Sequence, residues 1–288
     1  MSAHPKLSLS IAIVCYHSDE QDLRLLIESL IHSIRTLEKV QPFLPIPIFL
    51  IDNSETGDLK LSLFDDLSTK AMELELAIQL HLIQGQGNSG YGRAHNLVLE
   101  DLKSDFHLML NPDVVLDEYC LLEGLGYLER EKKIVMVSPM ASYANEDLQY
   151  LSKRYPSILT LFIRGFLPRS LQKRFLKRLA HYEMHELITE NPDSSPRTGI
   201  PIISGCFMLC RTAALRAIKG FDENYFLYFE DFDLSLRIAK QGDIAFVPRM
   251  KIIHGGGNTA KKGLKHIGMF IRSGIRFFNT HGWRWFKS

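Results

Sequence analysis

Leu108-Met-Leu-Asn-Pro-Asp113 runs from a hydrophobic stretch into a lone carboxylate, at the point where a buried strand would stop and open into a crevice. In open α/β sheets ligands collect beyond the carboxyl ends of the strands. An Asp there has no packing reason to exist unless it meets a cation, a ribose or water. Two downstream segments, Phe229-Glu-Asp-Phe-Asp233 and His254-Gly-Gly-Gly257, add further carboxylates and an imidazole. Together the three hold what a metal-assisted site requires.

Phe106 to Leu110 reads as the fourth strand of a series. Leu9 to Cys15 is a short β-branched run, Ile46 to Ile51 a second ending in Asp52-Asn53-Ser54, and Leu76 to Ile83 a third ending in Gly85-Gln-Gly-Asn-Ser-Gly90. Between them lie helical patterns. Leu23, Leu26, Ile27, Leu30, Ile31 and Ile34 recur at three- and four-residue steps behind Ser18 and Asp19 as caps, and Tyr91 to Leu102 and Tyr119 to Arg130 follow. This alternation predicts an α/β fold with a mostly parallel, doubly wound sheet and helices on both faces. Ile134 to Val137, Pro201 to Cys210 and Ile244 to Pro248 add strands, and Asp231 to Lys240 adds a helix.

Regularity falters from about residue 141 to 198, where a helix is expected at Leu171 to Leu187 and a loop at Asn191 to Pro196. The expected organisation is one catalytic domain over residues 1–257 carrying that insertion on its acceptor side. A C-terminal segment, 258–288, follows; in it Met269 to Phe286 alternates Phe, Ile and Trp with Arg, as an amphipathic helix or interfacial segment does.

A chain of 288 residues suits one core with an appendage, and its net charge of +1 argues against a nucleic-acid partner. Charge is nonetheless uneven. Basic residues gather in Lys153 to Arg178 and in Lys261 to Lys287, which leaves a local attraction to an anionic surface. Cys15, Cys120, Cys206 and Cys210 lie in apolar surroundings and read as reduced core residues; Cys206 and Cys210, four apart, are expected on one face. Met1 to Lys6 precedes no long apolar segment, and no run of about 18 apolar residues occurs. The expected location is cytoplasmic, peripheral on the inner face of the membrane.

The spacing Gly85-x-Gly87-x-x-Gly90 is weak by itself, since tight turns explain it equally well. Its extension through Asn88, Arg93 and Asn96 adds a cation and amides at a helix start, where an anion is stabilised. Asp52 either meets a base or ribose or closes an Asx turn. Pro112 fixes the backbone between Asn111 and Asp113 and leaves both side chains toward the crevice, and His254 offers a nitrogen to the same cation. Glu230, Asp231 and Asp233 crowd a helix start. Capping explains one or two of them; their mutual repulsion, inside a wall of Tyr225, Phe226, Tyr228, Phe229 and Phe232, raises a proton affinity and suits a general base.

The ordered set Ser10 to Tyr16, Ile51-Asp-Asn-Ser54, Asn88-Ser-Gly-Tyr-Gly-Arg-Ala-His-Asn96, Asn111-Pro-Asp113, Ser204-Gly-Cys-Phe-Met-Leu209, Gly220 to Phe226, Glu230-Asp231 and His254 resembles family 2 inverting glycosyltransferases of the GT-A fold. Within that family it is most similar to bacterial rhamnosyltransferases of O-antigen and cell-wall polysaccharide assembly, over about residues 8–257. The resemblance implies donor binding by Tyr16, Asp52, Asn88, Arg93, Asn111 and Asp113, with Asp52 at the nucleoside. It implies a divalent cation, Mg2+ or Mn2+, at Asp113 and His254. Asp231 is then the catalytic base, with Glu230 and Tyr228 on the acceptor side.

The implied donor is dTDP-L-rhamnose and the implied acceptor a saccharide on a polyprenyl diphosphate. Two alternatives stay open: a UDP-hexose transferase on the same frame, and a non-catalytic nucleotide- or saccharide-binding relative. The tail aromatics likewise read as a membrane contact, a homodimer contact or core packing. One departure from the family pattern is Asn111, which stands where the first Asp of an Asp-x-Asp pair is found. The site thus carries one negative charge fewer, and metal binding leans more on the donor's phosphates.

Overall fold

The computed structural model describes residues 7–40, 44–57, 59, 68–189, 194–255 and 263–287. Of the segments singled out above, Met1 to Lys6, Asn191 to Asp193 and Gly256 to Lys262 lie outside the described residues.

The first half runs β1 (Leu9–Cys15), α1 (Glu20–Val40), β2 (Ile46–Asp52), β3 (Ile78–Ile83), α2 (Tyr91–Asn96), β4 (Phe106–Leu110), β5 (Val114–Leu116), α3 (Cys120–Arg130) and β6 (Ile134–Ser142). The middle breaks into short pieces: β7 (Leu148–Gln149), β8 (Ser152–Lys153), α4 (Ile158–Phe166), α5 (Arg169–Gln172), α6 (Leu176–Tyr182), α7 (Glu186–Thr189), β9 (Arg197–Thr198) and β10 (Ile202–Ile203). The remainder is β11 (Phe207–Arg211), α8 (Thr212–Ala217), α9 (Glu230–Ile238), β12 (Asp243–His254) and α10 (Gly263–His281).

The main sheet has the order β3-β2-β1-β4-β11-β6-β12-β5. Strands β3, β2, β1 and β4 are parallel, as the strand-helix alternation predicts, and β12 is parallel to β6; β11 and β5 run antiparallel to their neighbours. All of β1 is buried because both faces are covered. Ile11 and Ile13 face a core with α1 and α3, while Ala12 and Val14 face one with α2, α8 and α9. At the head of α1, Asp19 Oδ1 accepts the N–H of Gln21 at 2.8 Å, the cap expected from sequence.

Several expectations change. Pro201 to Cys210 is not one strand: β10 pairs with β8 in a separate two-stranded sheet, and the chain turns through Ser204 to Cys206 before entering the main sheet as β11. The expected helix at Leu171 to Leu187 is broken into α5, a short 3-10 turn, α6 and α7, with Met184 in the left-handed region at φ 50°. α2 ends at Asn96, whose amide turns away to bind both the N–H and the C=O of Phe221 at 2.9 Å. β12 continues beyond Pro248 to His254 through a register shift between Val247 and Lys251, where prolines in both β6 and β12 interrupt the ladder. Cys206 and Cys210 lie in different cores, because Cys206 precedes the strand on which Cys210 alternates; all four thiols are free and buried.

Candidate active site

Asp113 follows β4 directly, through Asn111 and Pro112. Antiparallel pairing of β12 with β5 sets His254 opposite Val114, the residue after Asp113. As a result His254 Nε2 lies 3.4 Å from Asp113 Oδ1, and the Gly255 N–H donates to the Asp113 carbonyl at 3.0 Å. A Cβ at Gly255 would stand 3.3 Å from Asp113 Oδ2, so this glycine lets the strand end close on the carboxylate.

Gln149 holds the imidazole from behind. Its Nε2 donates to the His254 carbonyl at 2.7 Å, and its Oε1 accepts from His254 Nδ1 at 2.9 Å. That leaves Nε2 turned to Asp113, the way ligating imidazoles are oriented by their outer partners. Burial opposes a charge on this ring. The neighbouring Cys206 sulfur and Asp113 carboxylate outweigh burial and push its pKa up to about 10.

Among the described residues no group of three or more His, Cys, Asp and Glu side chains could hold a metal by itself. One carboxylate and one oriented imidazole form an incomplete set. They would fit a divalent cation that replaces the proton held between them and takes its remaining ligands from phosphate oxygens and water.

Asp231 is the second residue of α9. The chain reaches it through Tyr228 and Phe229, both left-handed at φ 69° and 65°, a conformation that costs on the order of 1 to 3 kcal/mol per bulky residue. Packing against α10 maintains it. The Phe229 ring lies 5.0 Å from Phe270 and 5.3 Å from Phe277, the Tyr228 hydroxyl is 2.9 Å from His266 Nδ1, and Ser273 Oγ donates to the Leu227 carbonyl at 2.8 Å. The wall of aromatics foreseen around the acidic cluster is therefore also a clamp that sets where α9 begins.

Asp231 is half-buried, and each carboxylate oxygen accepts one backbone N–H at 2.9 Å, Oδ2 from Gly205 and Oδ1 from Phe232. Burial raises its proton affinity, against the pull of those donors and of Lys153. Glu230, 5% exposed, is also pushed upward, by burial first and then by the charge of Asp231; its Oε2 has no hydrogen-bond partner among the described residues. Asp233 plays no part here: it binds Arg237 at 2.6 Å and His281 at 2.8 Å and anchors α10.

The Ser204–Cys206 turn joins the two halves. Gly205 holds Asp231, the Cys206 sulfur is close enough to His254 to act on its charge, and the Cys206 carbonyl accepts the Asn111 N–H at 3.0 Å. Tyr91 lies over the same turn, its hydroxyl donating to the Gly205 carbonyl at 2.6 Å. Its phenol is held well above the ordinary range, by burial first and then by Cys206, Glu230, Asp231 and Asp113, so all these groups act on one ring.

The residues expected on the donor side lie at the same sheet end, in different surroundings. Tyr16, just beyond β1, is 47% exposed. Asp52 is 1% exposed: its Oδ1 accepts from Ser54 N–H at 3.0 Å and its Oδ2 from Leu59 N–H at 3.0 Å, the Asx-turn alternative. Asn53, which the sequence did not single out, reaches across instead, accepting the Ser89 N–H at 3.1 Å and donating to Asn88 Oδ1 at 3.3 Å. Arg93 pairs with Glu223 at 3.2 Å and, with Phe226, Arg272 and Arg276, lines a cavity of about 630 Å³ beside α10; neither Asp113 nor His254 is among its described lining residues.

Sequence reasoning gave no role to Gly205, Cys206, Gln149, Tyr91 or Lys153. The spacing Ser204-Gly-Cys206 at a strand start was the available signal for the first two; Gln149 and Lys153 sit on two-residue strands that leave no periodic trace.

Known proteins share this frame. Rhamnosyltransferase WbbL of Escherichia coli (strain K12) is 26% identical over 176 residues, 58% of this chain and 61% of that protein. An N-acetylglucosaminyl-diphospho-decaprenol L-rhamnosyltransferase of Mycobacterium tuberculosis (strain ATCC 25618 / H37Rv) is 23% identical over 257 residues, 85% of this chain and 78% of that one. Among solved structures, GalNAc-T7 with UDP, GalNAc and Mn2+ superposes with a TM-score of 0.63 at 15% identity, over 96% of this chain and 48% of that chain. Residues 1-349 of S. aureus TarS in complex with UDP-GlcNAc give 0.55 at 13% identity, over 95% of this chain and 67% of that chain. These two likenesses speak for the fold. Residues 10–219 match the description Glycosyl transferase family 2, and the chain belongs to that family.

Proposed function

We propose that the protein moves L-rhamnose from dTDP-L-rhamnose to a saccharide carried on a polyprenyl diphosphate, with inversion at the anomeric carbon. The observation that carries the transfer reading is the Ser204–Cys206 turn, which borders Asp231 on one side and the Asp113–His254 pair on the other. The rhamnosyl group is supported by the names of both relatives, and the lipid-linked acceptor by the name of the Mycobacterium tuberculosis one.

As the sugar leaves, negative charge grows on the diphosphate and positive charge on the anomeric carbon. A divalent cation, when bound, would neutralise part of the first; Asp113 and His254 are the residues that would hold it, with Gln149 fixing the imidazole. Asp231 takes the proton from the attacking acceptor hydroxyl. Its raised proton affinity matches it to that task near neutral pH. Glu230 and Tyr228 border the acceptor path; Tyr228 does so from its contact with His266. Tyr16, Asn88 and Asn111 line the donor side, Asp52 shapes the loop on which Asn53 and Asn88 meet, and Arg93 guards the rim toward α10.

Residues 1–257 form the catalytic domain with its insertion at about 141–198, and the C-terminal segment supports it through α10. No helix among the described residues is long and apolar enough to cross a membrane. In this reading the enzyme works from the cytoplasmic side, at the surface that displays its acceptor.

Incubation with dTDP-L-rhamnose, a panel of UDP-sugars and a polyprenyl-diphosphate saccharide, followed by product mass, tests the assignment. A product heavier by one deoxyhexose is expected. Transfer from a UDP-hexose instead would replace the donor while leaving the family chemistry in place, and nucleotide binding without any product would favour the non-catalytic alternative.

A further inference from the structure

We infer that the outer face of α4, α5 and α6, together with the chain end that packs on α4, is a docking surface for an anionic lipid bilayer. Phe162 and Phe166 lie one turn apart on α4, 51% and 49% exposed, with their rings stacked at 5.7 Å. Leu176 on α6 is 60% exposed, and Trp285 and Phe286 are 57% and 70% exposed. α4 buries Leu161 and Ile163 on its opposite side, so these rings are its second apolar face.

The pieces that carry these side chains are tied to one another. Ile158 and Leu159 donate their N–H groups to the carbonyls of Arg284 and Trp285 at 2.8 and 3.1 Å, and Arg178 donates to the Phe286 carbonyl at 2.6 Å. Gln172 bridges α5 to the Leu167 carbonyl at 2.9 Å, and Tyr155 Oη donates to the Gly282 carbonyl at 2.5 Å. The exposed aromatics are thus presented by hydrogen-bonded structure.

Charge names the occupant. No Asp or Glu occurs between Asp147 and Glu183, and none after Asp243, while exposed Lys173, Arg174 and Lys177 alternate with the apolar groups. A second copy docking face to face would oppose like charges. A bilayer with anionic headgroups accepts the rings into its interface and the cations at its surface. α10 then links this surface to the turn before Asp231, since Trp283 stacks on Phe278 at 5.4 Å and the Phe277 ring packs, tilted, against Phe229 at 5.3 Å.

The test is co-sedimentation of the full chain with vesicles of phosphatidylcholine, with and without phosphatidylglycerol. This readout is independent of transfer activity. Binding is expected to the anionic vesicles and to weaken with salt. Lys173→Glu/Arg174→Glu/Lys177→Glu should lower partition at least about a hundredfold, since each cation at an anionic surface contributes a factor of about five. Phe162→Glu/Phe166→Glu should also abolish pelleting, with circular dichroism and melting temperature as in the wild type because the replaced side chains are exposed. The proposal is overturned if the wild type stays in the supernatant with anionic vesicles, or if both variants pellet like the wild type. It also falls if the wild type is a dimer that Phe162→Glu/Phe166→Glu splits without altering vesicle binding.

Discussion

The Gly205 N–H donates to Asp231 Oδ2 at 2.9 Å, while a Cβ at Gly205 would stand 3.2 Å from the Asp231 Cβ and 3.4 Å from Tyr91 Cε1. The absence of a side chain and the donated hydrogen bond together fix where the carboxylate points. Gly205→Ala is expected to shift Asp231 by a few tenths of an ångström or more and to lower kcat by up to about a hundredfold, with KM for the donor little changed. Steady-state kinetics separate the two parameters. A loss confined to KM would contradict the assigned role.

Gln149→Ala removes the partner that orients His254 without touching the position of Asp113. Loss of such an outer partner costs about 10- to 100-fold in metal affinity or activity. Titration of Mn2+ into the transfer reaction should show an activation midpoint raised by that factor. An unchanged midpoint would remove His254 from the proposed metal site.

Glu230 is buried with its proton affinity raised, so the folded state holds the proton more tightly than the unfolded chain. The sign follows from linkage: below the unfolded carboxylate pKa both states are protonated and ionisation costs nothing, whereas the cost grows as pH rises through the folded value. Glu230→Gln should therefore stabilise the protein in denaturant melts at pH 8 more than at pH 5. The opposite ordering would mean that Glu230 is ionised and paired in the folded state.

Lys153 is 6% exposed, its pKa lowered to about 8 by burial against the opposing pull of Glu183 at 3.3 Å, and its charge favours ionised Asp231. Lys153→Met removes that stabilisation and raises the Asp231 pKa. In its proposed role as base Asp231 works deprotonated, so activity falls as pH drops through that pKa, and the acidic limb of kcat/KM should move to higher pH. A limb that stays in place would leave Lys153 a purely structural role. Glu183 keeps Arg164 at 3.1 Å and His185 at 3.3 Å in the variant, which limits the structural damage.

The parallel half of the fold was legible because β1 and β4 are buried on both faces and its first helix repeats at helical steps. Residues 141–198 were not, since their elements are short and many span only two to four residues. His254 was legible as chemistry but not as geometry: prolines in β6 and β12 hid the register shift that carries the strand on to Asp113. Asp52 shows the reverse, a carboxylate whose position at a strand end was read correctly while its oxygens are taken up by the local turn. Gly205 escaped notice because a glycine's role depends on what approaches it, and Asp231 is 26 residues away in sequence.

The most direct test of the account is transfer by Asp231→Asn, measured beside nucleotide-diphosphate affinity. Asn keeps the size of the side chain and an oxygen for the Gly205 N–H, but it cannot take a proton from the acceptor. Turnover reduced by about 10²- to 10⁴-fold, with nucleotide affinity unchanged, is expected. Turnover equal to that of the wild type would contradict the assignment of Asp231 as the base.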